Sequence, residues 1–259
     1  MAGGVAERGP EQPALLAHLL AGAAVPTADR HDADSLAARR EQARSLIDES
    51  ATLHMRDDAL PGLLSTGLHE TTHNLDPSHE YTFQGKTDSQ AFGGGLSSMM
   101  EESEAQSGVL YYLELLVKKG LITEELRRQS CVDGVVWAFG YIAPGMTNED
   151  GTRKPHSQLA AIQPGVLMGE GAVVWGPSAP AANGRDVGAF KLDFEKFPTA
   201  FEKLMRDVAR VKARNGKKGA KGLTKKCVEG DEIPPGQARR AGAARPQEPL
   251  RLFGGSLTD

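Results

Sequence analysis

The sequence predicts a mainly α-helical domain with one or two short strands and disordered ends. Aromatic residues make up only 5% of the 259 residues, so the core is expected to consist mostly of Leu, Ala and Val, which favours helices. Apolar residues recur three or four positions apart over several long stretches, which is the helical period. The chain contains 30 Gly and 15 Pro, and residues 1–30 and 230–259 are rich in them.

The first two predicted helices are short. Residues 34–48 form a polar helix with few apolar positions. Residues 63–74 form a second helix, and Pro77 ends it because the residue before a proline avoids the α conformation. Turn-forming residues then predict a loop over residues 76–95, which is long enough to suggest a functional role.

The next two helices carry clear signals at their ends. The strongest pattern covers residues 96–119, and Gly120 is the residue type preferred just after a helix. Thr123 is a good N-cap for the following helix, which extends to about residue 141. Both helices have an apolar face that predicts burial in the core.

The remaining elements alternate between helix and short strand. Residues 156–170 are predicted to be helical despite Pro164, which is expected to kink the helix. Residues 172–175 and 190–194 are predicted short strands, and residues 197–215 form a helix with an apolar stripe.

These elements divide the chain into three predicted segments. Residues 1–44 form a loosely ordered N-terminal segment, residues 45–229 form the domain, and residues 230–259 form a flexible tail. No apolar run approaches the roughly 18 residues that a membrane helix needs, and no signal peptide is evident. Only two cysteines occur, which excludes a disulfide scaffold and a cysteine zinc finger and predicts a cytoplasmic location.

Charge is unevenly distributed along the chain. Residues 1–200 carry a net charge of −11 and residues 201–259 a net charge of +7. The overall charge of −4 argues against a general nucleic-acid-binding protein. The basic end is interpreted as a solvated helix face followed by a loose tail. Contact with a polyanion is the alternative, although no aromatic residues are interleaved there to stack on bases.

The motif with the most chemical content is His69-Glu70-Thr71-Thr72-His73. Two histidines four residues apart lie on one face of a helix and can bind the same zinc ion. Glu70 lies between them, where it could take a proton from a zinc-bound water. The alternative is a polar helix with two incidental histidines.

A catalytic zinc site needs a third protein ligand. The best candidates lie in the acidic cluster Glu101-Glu102-Ser103-Glu104, near the start of the next long helix. Carboxylates are also favourable near a helix N-terminus without any metal, so each of these glutamates has a purely structural alternative.

The order of these motifs resembles the dipeptidyl peptidase III family, in its bacterial branch with H-E-x-x-H. The likeness rests on the histidine motif, on Glu101-Glu102-x-x-Ala105 and on the segment around His156, and it extends over about residues 50–230. It implies a zincin-like metallopeptidase fold, zinc as cofactor and a peptide as substrate. The implied zinc ligands are His69, His73 and Glu102.

The resemblance also implies roles for four other residues. Glu70 would be the general base, and His156 would stabilise the oxyanion that forms during peptide hydrolysis. Glu101 would lie beside a ligand histidine as its partner, without binding the metal itself. Gln106 stands where the family usually has an acid, and a neutral amide would support a ligand histidine less strongly.

The region before the motif is short for this family. Only 68 residues precede His69, whereas family members have a large lobe there that forms the other wall of the cleft. A missing N-terminal lobe or a partner chain would have to supply that wall. The predicted function is therefore zinc-dependent hydrolysis of peptide bonds, with a non-catalytic or degenerate zinc-binding fragment as the alternative.

Overall fold

A computed structural model describes residues 33–75 and 81–230, which form nine helices and one two-stranded sheet within those ranges. The predicted mainly α-helical class with one or two short strands is confirmed. No helix of the described residues is long and apolar enough to cross a bilayer. The elements in chain order are α1 (Ala33–Leu46), α2 (Glu49–Thr52), α3 (Leu60–Leu75), α4 (Asp88–Phe92), α5 (Gly94–Lys118), α6 (Glu124–Ile142), α7 (Pro155–Gly169), β1 (Val173–Pro180), β2 (Val187–Leu192), α8 (Phe197–Ala213) and α9 (Lys217–Cys227).

The predicted helix ends agree closely with the observed ones. Thr123 caps α6 by accepting a hydrogen bond from the backbone N–H of Leu126 at 3.1 Å. Gly120 adopts a φ of 68° just after α5, a conformation that glycine tolerates best. Pro164 lies inside α7, as predicted. The predicted segment boundary between residues 44 and 45 falls within α1, and the division into segments stays a prediction.

The predicted loop over residues 76–95 is partly wrong, because it contains α4. Thr87 and Gln90 form a reciprocal capping box that starts this helix. Phe92 anchors the helix in the core, where it is almost completely buried. Residues 76–80 lie outside the described part of the chain.

The basic C-terminal region contains a helix that was not predicted separately, α9. It packs on α7, where Gly165 allows a close approach: a Cβ there would lie 2.8 Å from Cys227 Sγ. Lys217, Lys218 and Lys221 of α9 are exposed, in agreement with a solvated basic face. Contact of this face with a polyanion stays an untested alternative. Residues 1–32 and 231–259, predicted to be loosely ordered, lie outside the described residues.

Helix α5 is the centre of the domain. It packs against α3 and α8, and α7 covers another side of it. Its fully buried side chains include Met99, Met100 and Leu113, and Phe190 of β2 is part of the same core. The long helix α5 therefore provides a fixed support on which side chains from α3, α7 and α8 can meet.

Both cysteines should be chemically inert in the folded protein. Cys131 and Cys227 are each 1% exposed, and burial raises the pKa of the Cys131 thiol far above its usual value. We expect neither thiol to react with a chromogenic thiol reagent at neutral pH, and both to react after denaturation. Rapid reaction of Cys131 in the native protein would contradict this packing.

Candidate metal centre

Helix α3 presents its two histidines toward α5. The opposite side of α3 is held in the core by Leu64 and Leu68, which are 1% and 5% exposed. His69 and His73 lie one turn apart on the side of α3 that faces α5, with side chains that are 18% and 27% exposed. The histidines are therefore half-buried at the contact between α3 and α5.

A close approach of the two helices brings the acidic residues of α5 to the histidines. Thr72 of α3 is buried and lies directly over Gly108 of α5, where an added Cβ would be only 2.4 Å from the threonine side chain. A glycine at this position permits a helix contact that a larger residue would push apart. Glu101 and Glu102 lie about two turns before Gly108 and face the histidine pair.

Three atoms converge between the helices. His69 Nε2 lies 3.2 Å from His73 Nε2 and 3.2 Å from Glu102 Oε2. The distance from His73 Nε2 to Glu102 Oε2 is 3.9 Å. These three side chains form the one group among the described residues whose ligand atoms lie close enough together to hold a metal ion.

Each of the two imidazoles also has a polar partner at Nδ1, on the side of the ring that faces away from the three converging atoms. His73 Nδ1 lies 3.4 Å from Glu101 Oε1, and His69 Nδ1 lies 3.3 Å from Gln106 Oε1. A carboxylate or amide oxygen can only accept, so both Nδ1 atoms donate. In the neutral tautomers that result, the Nε2 lone pairs of both histidines are directed into the space between them, which is the state in which imidazoles bind a metal ion.

The geometry and the chemistry of these atoms both fit zinc. Ligands about 2.0–2.1 Å from a tetrahedral zinc lie roughly 3.3 Å apart, close to two of the three observed separations. Glu102 Oε2 is buried and accepts no well-aligned hydrogen bond from the described residues, although imidazoles surround it. Two histidines and a carboxylate are one of the ligand sets of catalytic zinc sites.

The electrostatics keep the carboxylates ionised. Burial acts to raise the pKa of Glu102, but the imidazole of His156, which can donate to Oε2, outweighs it and holds the pKa well below its usual range. The hydrogen bond from His73, with help from Lys212, lowers the pKa of Glu101 to about 2. The same hydrogen bond raises the pKa of His73. The site therefore favours a cation.

The structure also places the two other predicted catalytic residues. Glu70 is exposed on α3 between the two histidines. His156 comes from the first turn of α7, and its Nε2 lies 3.3 Å from Glu102 Oε2. Its side chain is 46% exposed, and Tyr141 stacks on the ring with centroids 5.9 Å apart. All seven predicted site residues thus lie on or beside one junction of α3, α5 and α7.

No family model and no curated protein matches the sequence. Among solved structures, dipeptidyl peptidase III from Caldithrix abyssi aligns with a TM-score of 0.66 and 20% identity, over 80% of this chain and 36% of that chain. Dipeptidyl-peptidase III from Corallococcus sp. strain EGB aligns with a TM-score of 0.62 and 23% identity, over 79% of this chain and 34% of that chain.

The chain has the fold of part of dipeptidyl peptidase III. The resemblance inferred from the histidine and glutamate motifs is therefore confirmed at the level of the fold. The chain spans about a third of the length of the solved structures that it matches. The roles of individual residues, and any activity, remain proposals.

Sequence reasoning missed one residue of this site, Lys212. From the sequence it belongs to the basic C-terminal region, which is interpreted there as a solvated helix face and a loose tail. A signal was present, because Leu204, Val208 and Lys212 are spaced four residues apart and so place the lysine on the apolar stripe of α8. A lone cation on such a stripe predicts a buried acidic partner.

The contact between Thr72 and Gly108 gives a test of how the site is assembled. We expect Gly108→Ala to destabilise the fold by about 1–3 kcal/mol, because the new methyl group forces α3 and α5 apart. Gly134→Ala in α6 is the matched control, since its methyl group would meet neighbours at 3.7 Å, an ordinary contact. Urea unfolding of both variants measures the difference, and equal stabilities would contradict the close packing.

Proposed function

We propose that the chain is a zinc-dependent hydrolase of peptide bonds, with His69, His73 and Glu102 as the zinc ligands. The observation that carries the proposal is the convergence of two imidazole Nε2 atoms and one buried, unsatisfied carboxylate oxygen within 4.8 Å of one another. The shared fold with part of dipeptidyl peptidase III supports the same conclusion. The bound ion would supply Lewis acidity, which polarises a carbonyl and lowers the pKa of a coordinated water.

Glu70 moves the proton in this proposal. Glu70 is exposed on α3, and its charge is close enough to His73 to contribute to raising the pKa of that imidazole. From this position its carboxylate would reach both solvent and a substrate at the site. It takes a proton from the attacking water at a carboxylate oxygen and passes that proton to the leaving amine. Such proton transfer contributes typically 10²–10⁴-fold to the rate.

His156 stabilises the developing negative charge. Its half-exposed imidazole lies beside Glu102 and is accessible to a peptide carbonyl. Tyr141 stacks on one side of the ring and limits its orientations. The Nε2–H group would donate a hydrogen bond to the oxyanion, an interaction typically worth 10²–10³-fold.

Turnover by the purified 259-residue chain is the direct test. The zinc-loaded chain should cleave a chromogenic dipeptide amide, lose the activity after treatment with a chelator and regain it when zinc is added back. Activity that persists unchanged in metal-free protein would contradict a zinc-dependent reaction. A cytoplasmic location, inferred from the two cysteines, stays a prediction.

The second candidate function is zinc binding without turnover. It is favoured by the comparisons, since the match covers only 34–36% of each solved chain and leaves the rest without a counterpart in these residues. A chain of this kind would bind one zinc ion and cleave no peptide. Measuring zinc content and turnover on the same sample separates the two candidates.

A further inference from the structure

Lys212 is a buried cation with an unusual environment. It lies on α8, its side chain is 6% exposed, and three carboxylates surround its ammonium group. Lys212 Nζ lies 2.5 Å from Glu101 Oε2, 3.0 Å from Glu104 Oε2 and 3.3 Å from Asp88 Oδ2. The cluster thus joins α8 to both α4 and α5.

Fold stability alone gives a weak reason for this cluster. Burying an ammonium group and three carboxylates is costly, and apolar residues of similar volume are often at least as stabilising. Lys212 occupies a position on α8 that otherwise continues an apolar stripe through Leu204 and Val208. A leucine or methionine would suit that position, so the charge calls for a specific explanation.

The explanation that we favour starts from the two carboxylate oxygens of Glu101, which have different partners. Oε2 of Glu101 pairs with Lys212, while Oε1 lies 3.4 Å from His73 Nδ1. A carboxylate held at one end by an ammonium group has its other oxygen fixed in direction. The pair therefore forms a continuous chain of contacts from α8 to the imidazole.

We propose that Lys212 is a positioning residue for the metal centre: it holds Glu101 so that His73 keeps its proton on Nδ1 and directs the lone pair of Nε2 at the metal. The inference rests on the proposed zinc site and extends it. His69 has only the neutral amide of Gln106 behind it. Of the two ligand histidines, His73 is therefore the one whose Nδ1 has a charged carboxylate as its partner.

Lys212 also reduces the electrostatic repulsion among the neighbouring carboxylates of α5. Glu101 and Glu102 are adjacent, and both must be ionised for one to orient His73 and the other to bind the metal. Glu104, one turn from Glu101, adds a third negative charge. The ammonium group of Lys212 offsets this repulsion through its contacts with Glu101 and Glu104.

The test compares Lys212→Met with Lys203→Met. Methionine keeps the length and apolar character of the side chain while removing the charge. Lys203 is the matched control, because it lies on the same helix but pairs with Asp207. We expect Lys212→Met to bind zinc at least about tenfold more weakly in competition with a chelator, and Lys203→Met to bind like wild type.

A second measurement on the metal-free protein separates positioning from general destabilisation. ¹⁵N NMR of labelled histidines at alkaline pH reports which ring nitrogen carries the proton. Wild type should hold His73 in the Nδ1–H tautomer, and Lys212→Met should shift it toward Nε2–H. If Lys212→Met does not fold, the double variant with Glu104→Gln removes one of the uncompensated carboxylates and should show the same two changes.

The outcomes distinguish this inference from the proposed function. Wild-type protein that binds no zinc would refute the proposed function, and the histidine tautomer would still decide the role of Lys212. An unchanged tautomer in a folded Lys212 variant, or zinc affinity equal to wild type, would overturn the inference while leaving the zinc site intact.

Discussion

Glu70→Gln is expected to lower kcat by about 10²–10⁴-fold while zinc content stays at the wild-type level. The amide has nearly the shape of the carboxylate but cannot accept the proton from the attacking water. Glu70 is exposed on the surface of α3, so stability should also stay unchanged. Rates with a chromogenic dipeptide amide and metal content by mass spectrometry test both parts.

Glu202→Gln is a suitable control for this experiment. Glu202 is an exposed glutamate on α8 whose ion pair with Arg206 lies within that helix. The control should leave the rate unchanged. Equal activity of wild type and Glu70→Gln would remove Glu70 from the mechanism, although the zinc site could remain.

Glu102→Ala is expected to have the largest effect on metal binding. It removes the one carboxylate oxygen that meets both Nε2 atoms, and two histidines alone do not complete a zinc site. We expect zinc affinity to fall at least about 100-fold, beyond the usual 10–100-fold effect of changing a partner that only orients a ligand. Competition with a chromogenic chelator provides the measurement.

Glu101→Gln is the informative comparison for that loss. It changes the neighbouring carboxylate, whose Oε1 faces His73 Nδ1 and not the space between the three proposed ligand atoms. An amide oxygen can still accept that hydrogen bond, so a smaller loss is expected. If Glu101→Gln lost zinc and Glu102→Ala retained it, the assignment of the two glutamates would have to be reversed.

The helices that build the site were predictable because their signals are local. The histidine motif lies within one helical stretch, and the caps at Thr123 and Gly120 require only neighbouring residues. The reciprocal capping box of α4 is equally local, but the helix is only five residues long and lies among turn formers. Its formation also depends on burying Phe92, a tertiary effect.

Within the site, the sequence predicted two histidines and a carboxylate as ligands. Residue spacing alone could not decide which of the neighbouring glutamates supplies the carboxylate. Adjacent helix residues differ in direction by about 100°, so Glu101 and Glu102 face different partners only once α3 is docked. The choice of Glu102 came from the family resemblance. Lys212 lies 110 residues away from Glu102, and no local pattern could have connected it to His73.

X-ray absorption spectroscopy at the zinc edge tests the central claim most directly. The purified chain, loaded with one equivalent of zinc, should give a spectrum of nitrogen and oxygen ligands near 2.0–2.1 Å, including two imidazoles. Glu102→Ala should reduce or abolish that signal under the same loading. A wild-type chain that takes up no zinc, or zinc surrounded by water alone, would contradict a metal site formed by His69, His73 and Glu102.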